Sequence, residues 1–104
     1  MATILNGDTD SDTIDLTGKK LVAFVSDGNF KGSHVGLLYQ VAANVWFPVQ
    51  DSWGRRRAIA LTNWVVTALD VEQQDLSKNQ TFRLRADEEQ TQDVTITLVT
   101  EDLV

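Results

Sequence analysis

The stretch HVGLLYQVAANVWFPV, residues 34–49, decides the fold class of this 104-residue chain. Its first half places Val, Leu, Tyr and Val at every second position, which is the period of a β-strand with one buried face. A short break at residues 42–44 follows, and apolar residues then resume. Two such runs predict a β-hairpin over residues 34–49. Pro48 cannot donate a backbone hydrogen bond, so the second strand is expected to lie at a sheet edge or to end there.

Further short apolar or alternating runs recur along the chain, separated by turn residues. Their spacing gives about seven or eight strands, which is typical of a sandwich or barrel. We predict an all-β fold, an antiparallel two-sheet sandwich of jelly-roll-like or immunoglobulin-like form. Residues 65–76 are the best candidate for a helix, but their valines favour a strand. Beyond the hairpin, the predicted strands cover residues 13–16, 20–26, 57–61, 65–71, 81–86 and 94–98.

The N-terminal residues differ in composition from the rest of the chain. Residues 1–15 contain four Asp and no Lys or Arg, and Ile4 and Leu5 are the large apolar side chains between Met1 and Ile14. This composition predicts an extended N-terminal arm, residues 1–12, ahead of a single sandwich domain, residues 13–104.

Charge and composition limit the classes of partner. A net charge of −6 argues against nucleic acid, because phosphate binding needs clustered Lys and Arg. The absence of cysteine excludes disulfides and thiolate metal sites. No stretch reaches the roughly 18 apolar residues of a membrane helix, and residues 1–15 show no signal peptide. We expect a soluble protein made in the cytoplasm, with no membrane partner.

Few residues suggest catalysis or metal binding. His34 is the only histidine, and a lone His at the start of a strand is usually structural, so we expect no enzyme and no cofactor. Residues 8, 10 and 12 are Asp, with the spacing of the first EF-hand ligands, but Thr13 and Lys19 replace the required Gly and Glu. No metal site is predicted. A looser divalent-ion site on the extended acidic segment stays open.

Three arginines at residues 55–57 form the one basic cluster, directly after Trp53 and Gly54. Guanidinium groups pair well with carboxylates. One interpretation is therefore a contact with the acidic segment of a neighbouring copy, and the other is a solvated loop.

Five short motifs follow one another along the chain in an order that is informative. They are Phe30-Lys31-Gly32, the valine–leucine strand at residues 35–41, Trp46-Phe47-Pro48-Val49, Phe82-Arg83-Leu84-Arg85 and Val94-Thr95-Ile96-Thr97-Leu98. This arrangement, over residues 24–99, resembles a recurrent pattern in small bacteriophage virion proteins. Family members often have Asp-Gly before the Trp, where this chain has Ala43-Asn44. The resemblance implies a β-sandwich that serves as a capsid decoration (cement) protein, or as a head or tail component.

Apolar residues also occur on both faces of single strands. Val45 and Phe47 flank Trp46, and Leu38 follows Leu37. A sandwich buries one face of each sheet, so this pattern predicts more apolar surface than one small domain covers. Large exposed apolar patches mark interaction sites. The alternative is that a crossing loop or the arm covers the second face.

We therefore expect a non-enzymatic virion structural protein that binds copies of itself, as a homotrimer, and the major capsid protein or another virion protein. Two alternatives stay open: a phage tail, adaptor or fibre component, and a glycan-binding module that uses Trp53 or Trp64 as a stacking platform. The residues expected at the partner interface are Ile4, Leu5, Asp8, Asp10, Asp12, Trp53, Arg55, Arg56 and Arg57.

Overall fold

A computed structural model describes residues 1–48 and 58–103 of the chain. In this part the protein has nine β-strands and one short helix, and the strands form two antiparallel sheets that pack as a sandwich, as predicted. The elements are β1 (Ala2–Ile4), β2 (Ile14–Asp15), β3 (Lys19–Ser26), β4 (His34–Ala42), β5 (Val45–Pro48), β6 (Ala58–Ala60), β7 (Thr67–Ala68), α1 (Val71–Ser77), β8 (Thr81–Ala86) and β9 (Val94–Asp102).

The strands divide between the sheets in an order that differs from their order in the chain. The front sheet has the order β1-β9-β3-β7. The back sheet has the order β2-β8-β4-β5, and β6 pairs with the start of β4 beside β5. Because neighbours such as β3 and β9 are far apart in the chain, the fold depends on long-range pairing.

The core lies between the sheets and is built from alternate residues of their long strands. Phe24 and Ile96 of the front sheet and Phe82 and Leu84 of the back sheet have no exposed surface. The rings of Phe82 and Tyr39 pack edge to face with centroids 6.3 Å apart. Burial of each large apolar side chain stabilises the fold by about 1.5–3 kcal/mol.

The predicted hairpin is present as β4 and β5, which pair from Leu38 and Pro48 to Ala42 and Val45. The register shifts between Gln40 and Ala42, so the hairpin contains a bulge near its turn. Asn44 has a φ of 59° in the turn, a left-handed conformation that Asn tolerates better than most residues. Residue 49, which was predicted to end the second strand, lies outside the described residues.

Residues 1–12, the predicted arm, comprise strand β1 and a turn at residues 5–8, and they lie within the sandwich rather than apart from it. Strand β1 pairs with β9, and Ala2 and Ile4 are completely buried. Ser11 donates its N–H to the Leu84 carbonyl of the back sheet, and Asp12 donates its N–H to the Thr3 carbonyl of the front sheet. Residues 8–12 therefore close one side of the sandwich, and the predicted arm is part of the same domain.

The strand predicted for residues 65–71 is wrong in most of its length. Only Thr67 and Ala68 pair as β7, and helix α1 begins at Val71. Asp70 and Gln73 form a capping box, in which each side chain accepts the other residue's backbone N–H. These local hydrogen bonds outweigh the β preference of Val71. Across the described ranges, no helix is long and apolar enough to cross a membrane.

Candidate functional site

The outer face of the front sheet carries valine and alanine side chains among threonines. Phe24 and Ile96 point into the core, so their neighbours along β3 and β9 point outward. The register pairs Ala23 with Val99 and Val25 with Thr97 on this outer face. Val99 is 44% exposed, which leaves apolar surface at the centre of the sheet uncovered.

Trp64 lies at the edge of this face in a rare backbone conformation. Its φ is 63°, and such a left-handed conformation is uncommon for a bulky residue and costs about 1–3 kcal/mol. Its N–H donates to the Ser26 carbonyl over 3.1 Å. A Cβ atom at Gly28 would lie 2.8 Å from the indole Nε1, so the ring packs closely over that glycine. The backbone thus holds in place an indole that is 75% exposed.

Two exposed valines, Val65 and Val66, follow Trp64 in the chain and lead to strand β7. Val65 is 51% exposed and Val66 is 62% exposed. We call the surface formed by Val25, Trp64, Val65, Val66 and Val99 the Trp64 face. Three consecutive large apolar residues with mostly exposed side chains are unusual in a domain that has a complete core, and contiguous apolar patches mark interaction sites.

Acidic groups border the Trp64 face. At one end, the Asp27 carboxylate accepts backbone N–H groups from Asn29 at 3.0 Å and from Thr95 at 3.1 Å. At the other end, Glu101 lies 4.0 Å from Lys20 in a partly exposed ion pair. An apolar centre with an acidic border is complementary to a partner whose apolar patch has a basic border.

A small pocket lies beside the indole. It has a volume of about 120 Å³, and its lining includes Trp64, Val25, Asp27, Thr95 and Thr97. This volume is below the roughly 300–1,000 Å³ of typical ligand pockets, although the lining combines an aromatic ring with hydroxyl and carboxylate groups.

The predicted interface residues near the N-terminus have different environments. Ile4 is a core residue with no exposed surface, so its assignment to an interface is wrong. Leu5 is 54% exposed, and Asp8 is exposed at the rim of an open, polar cleft. Asp12 makes a hydrogen bond that stabilises the fold, because its carboxylate accepts the Thr3 N–H over 2.9 Å.

Asp10 has a partner within its own chain. Its two carboxylate oxygens accept hydrogen bonds from Arg85 over 2.7 and 3.0 Å. These hydrogen bonds raise the pKa of the Arg85 guanidinium. Asp10 is therefore already paired without an arginine from a neighbouring copy. The predicted partner residues Trp53, Arg55, Arg56 and Arg57 lie outside the described residues.

The back sheet carries less surplus apolar surface than its sequence suggested. Leu37 and Leu38 point to opposite faces, yet each is only 2% exposed. Trp46 is partly covered by Arg83, whose guanidinium carbon lies 4.3 Å from the centre of the ring. In β5 the exposed apolar residues are Val45, at 39%, and Phe47, at 59%. Of the residues from which the surplus was predicted, Val45 and Phe47 are therefore exposed, whereas Leu37 and Leu38 are buried.

His34 belongs to a hydrogen-bonded turn. The Ser33 hydroxyl lies 2.8 Å from His34 Nδ1 and donates to an Asp87 carboxylate oxygen over 3.0 Å. In a catalytic triad the histidine stands between the serine and the acid, whereas here the serine does. This geometry anchors the turn and does not activate the hydroxyl. Among the described residues, no group of three or more His, Cys, Asp or Glu could hold a metal ion.

No protein family model, curated protein or solved structure matches the chain.

Proposed function

We propose that the protein is a non-enzymatic structural component of a bacteriophage particle, a capsid decoration (cement) protein that docks through its Trp64 face onto a neighbouring capsid protein. The observation that carries this proposal is the exposed run Trp64-Val65-Val66 at the edge of the front sheet, whose outer face carries Val25 next to Trp64 and the exposed Val99. The order of the strand motifs resembles that of small virion proteins. This resemblance is the reason for proposing that the chain belongs to a phage particle.

Docking of the Trp64 face would stabilise only the assembled state. An aromatic side chain buries about 150–250 Å² on contact, and each Å² of apolar surface removed from water contributes about 25 cal/mol. A ligand or partner that binds only the folded, assembled form shifts the equilibrium toward that form. A small protein with one such face can therefore strengthen a capsid without any chemical step.

A tail, adaptor or fibre component would use the same face at another position in the particle. This function shares the apolar docking chemistry, so only the location of the chain in the particle separates it from capsid decoration.

The glycan-binding alternative is favoured by one observation, the pocket in which Trp64 lies beside Asp27, Thr95 and Thr97. A sugar could stack on the indole while its hydroxyl groups bond to these polar side chains. Val65 and Val66 favour a protein partner instead, because aliphatic side chains offer no hydrogen bonds to a sugar. The other platform proposed from the sequence, Trp53, lies outside the described residues.

Incorporation into purified phage particles tests the proposal. We expect mass spectrometry to detect the chain in purified particles. The Trp64→Ser variant should be incorporated much less, although its circular dichroism spectrum should show that it is folded. Val71→Ser is the matched control, because Val71 is also mostly exposed but lies outside the Trp64 face and outside the interface expected from the sequence.

Absence of the parent chain from particles, or equal incorporation of the Trp64→Ser and parent chains, would contradict the proposal. Incorporation into tails rather than heads would favour the adaptor or fibre alternative. Binding of the parent chain, but not of Trp64→Ser, to a glycan array would favour the glycan-binding module.

A further inference from the structure

The tip of the β4–β5 hairpin is a second exposed apolar surface. Residues 40–45 are all exposed, and Val41 and Phe47 are 58% and 59% exposed. We call the surface formed by Val41, Ala42, Ala43, Val45 and Phe47 the hairpin tip. Five apolar side chains project there around the turn residue Asn44.

The hairpin tip is the continuation of the core face of the back sheet. Phe82 pairs with Tyr39, and Tyr39 pairs with Phe47, so the three rings lie in a row on one face. Phe82 is fully buried, Tyr39 is half-buried, and Phe47 is mostly exposed. The front sheet therefore covers the beginning of this aromatic row and leaves its end uncovered.

The hairpin also has no charge. Residues 35–48 contain no Asp, Glu, Lys or Arg, although 23% of the whole chain is charged and the net charge is −6. Two copies of an acidic protein repel each other where acidic surfaces meet, and like charges in an interface are costly. A contact between two Trp64 faces would bring the Asp27 carboxylates of both copies into the interface, whereas the residues of the hairpin tip carry no charge.

We propose that the occupant of the hairpin tip is a second copy of this chain, with hairpins from neighbouring copies packed against each other at the symmetry axis of a homo-oligomer. This inference goes beyond the proposed function, because it concerns contacts between copies and a surface separate from the Trp64 face. Homo-oligomers are usually closed and symmetric, and a surface at an axis need only be complementary to itself.

An uncharged contact between acidic subunits has a characteristic salt dependence. Salt screens the repulsion between the charged parts of the subunits, with a Debye length of about 10 Å at 0.1 M, and it leaves the apolar contact intact. Association should therefore strengthen as the salt concentration rises. An interface held by ion pairs would weaken instead.

The solution mass of the full chain tests the inference. By analytical ultracentrifugation we expect a species of two or more 11.6-kDa chains, favoured by higher protein concentration and by salt. Phe47→Glu and Val41→Glu should each weaken association by at least about tenfold, because they place a carboxylate in an apolar contact. Val71→Glu is the control for adding a charge at an exposed apolar position away from the hairpin tip.

A cysteine cross-link provides a test that does not disturb the apolar contact. The chain has no cysteine, so Ala43→Cys places a single thiol at the hairpin tip. Under mild oxidation we expect disulfide-linked dimers of Ala43→Cys to form much faster than those of Thr97→Cys, whose thiol would lie on the exposed outer face of the front sheet.

A parent chain that stays monomeric at all concentrations and salt levels would overturn the inference. Equal association of folded Phe47→Glu and parent chains would also overturn it, as would equal cross-linking at residues 43 and 97. These outcomes do not involve the Trp64 face. If self-association at the hairpin tip fails, the proposed docking through the Trp64 face is unaffected, and the reverse also holds.

Discussion

Gly32 shows how a single residue can explain a sequence motif. The motif Phe30-Lys31-Gly32 ends at a glycine with a φ of 123°, a conformation that is readily adopted only by glycine. A Cβ atom at Gly32 would collide with the Asp87 carboxylate. That carboxylate accepts hydrogen bonds from the Ser33 N–H and hydroxyl group. The glycine therefore gives the acid room to hold the turn that leads into β4.

Substitution of Gly32 by alanine should destabilise the fold by about 3 kcal/mol or more, because backbone strain and the displaced carboxylate act together. Gly18→Ala is the control. Gly18 also has a positive φ, of 74°, but nothing lies within 4 Å of a Cβ atom there. We expect it to cost only about 1–2 kcal/mol. Urea unfolding measures both variants, and equal losses would show that the Asp87 contact is unimportant.

Asp87 should also make stability depend on pH. Partial burial acts to raise its pKa, but hydrogen bonds from Ser33 and from the His34 and Asp87 backbone outweigh burial and hold the pKa below its ordinary value of 3.8. A lowered pKa means that the stabilisation is present above the ordinary value and is lost as pH falls through the lowered one. Asp87→Asn should therefore be less stable than the parent at neutral pH, and the difference should shrink in acid. A difference that stays constant from neutral to acidic pH would contradict this assignment.

At the scale of the element, the sequence predicted strands well where an alternating apolar pattern was long. Strands β3, β4, β8 and β9 occur where predicted, because their alternating residues meet a single core. The pattern was insufficient at residues 65–77, where the valines suggested a strand and the capping box at Asp70 starts a helix. The position of residues 8–12 was also unpredictable, because Ser11 bonds with Leu84, a residue far away in the sequence.

Removal of the helix cap tests this explanation of α1. Asp70→Ala deletes the carboxylate that accepts the Gln73 N–H over 2.7 Å, and it should cost about 0.5–2 kcal/mol. Val71→Ala changes a mostly exposed residue in the same turn and should alter stability by less than about 0.5 kcal/mol. Thermal unfolding compares the two variants, and a loss for Val71→Ala equal to that for Asp70→Ala would mean that the cap does not determine the helix.

At the scale of the whole molecule, a small acidic sandwich leaves two apolar surfaces uncovered. The sequence predicted such a surplus from strands with apolar residues on both faces. It placed the surplus on the strands that contain Leu37-Leu38 and Val45-Trp46-Phe47; Leu38 is buried, Phe47 is exposed, and the structure adds Trp64. Burial depends on which elements lie above a strand, and that depends on the order of strands in the sheets, which the local pattern does not contain. The sequence feature that could have indicated the Trp64 face is the run of three apolar residues, Trp64-Val65-Val66, directly before the two-residue strand β7.

In the proposed function, another protein covers the Trp64 face in the assembled particle. Hydroxyl-radical footprinting, read by mass spectrometry, tests it by comparing the oxidation of Trp64 in the free chain and in purified particles. We predict rapid oxidation in the free chain and strong protection in particles, with Met1, which is 80% exposed, oxidised similarly in both. Equal oxidation of Trp64 in the free and particle-bound chains would show that no partner covers the Trp64 face, and it would contradict the proposed function.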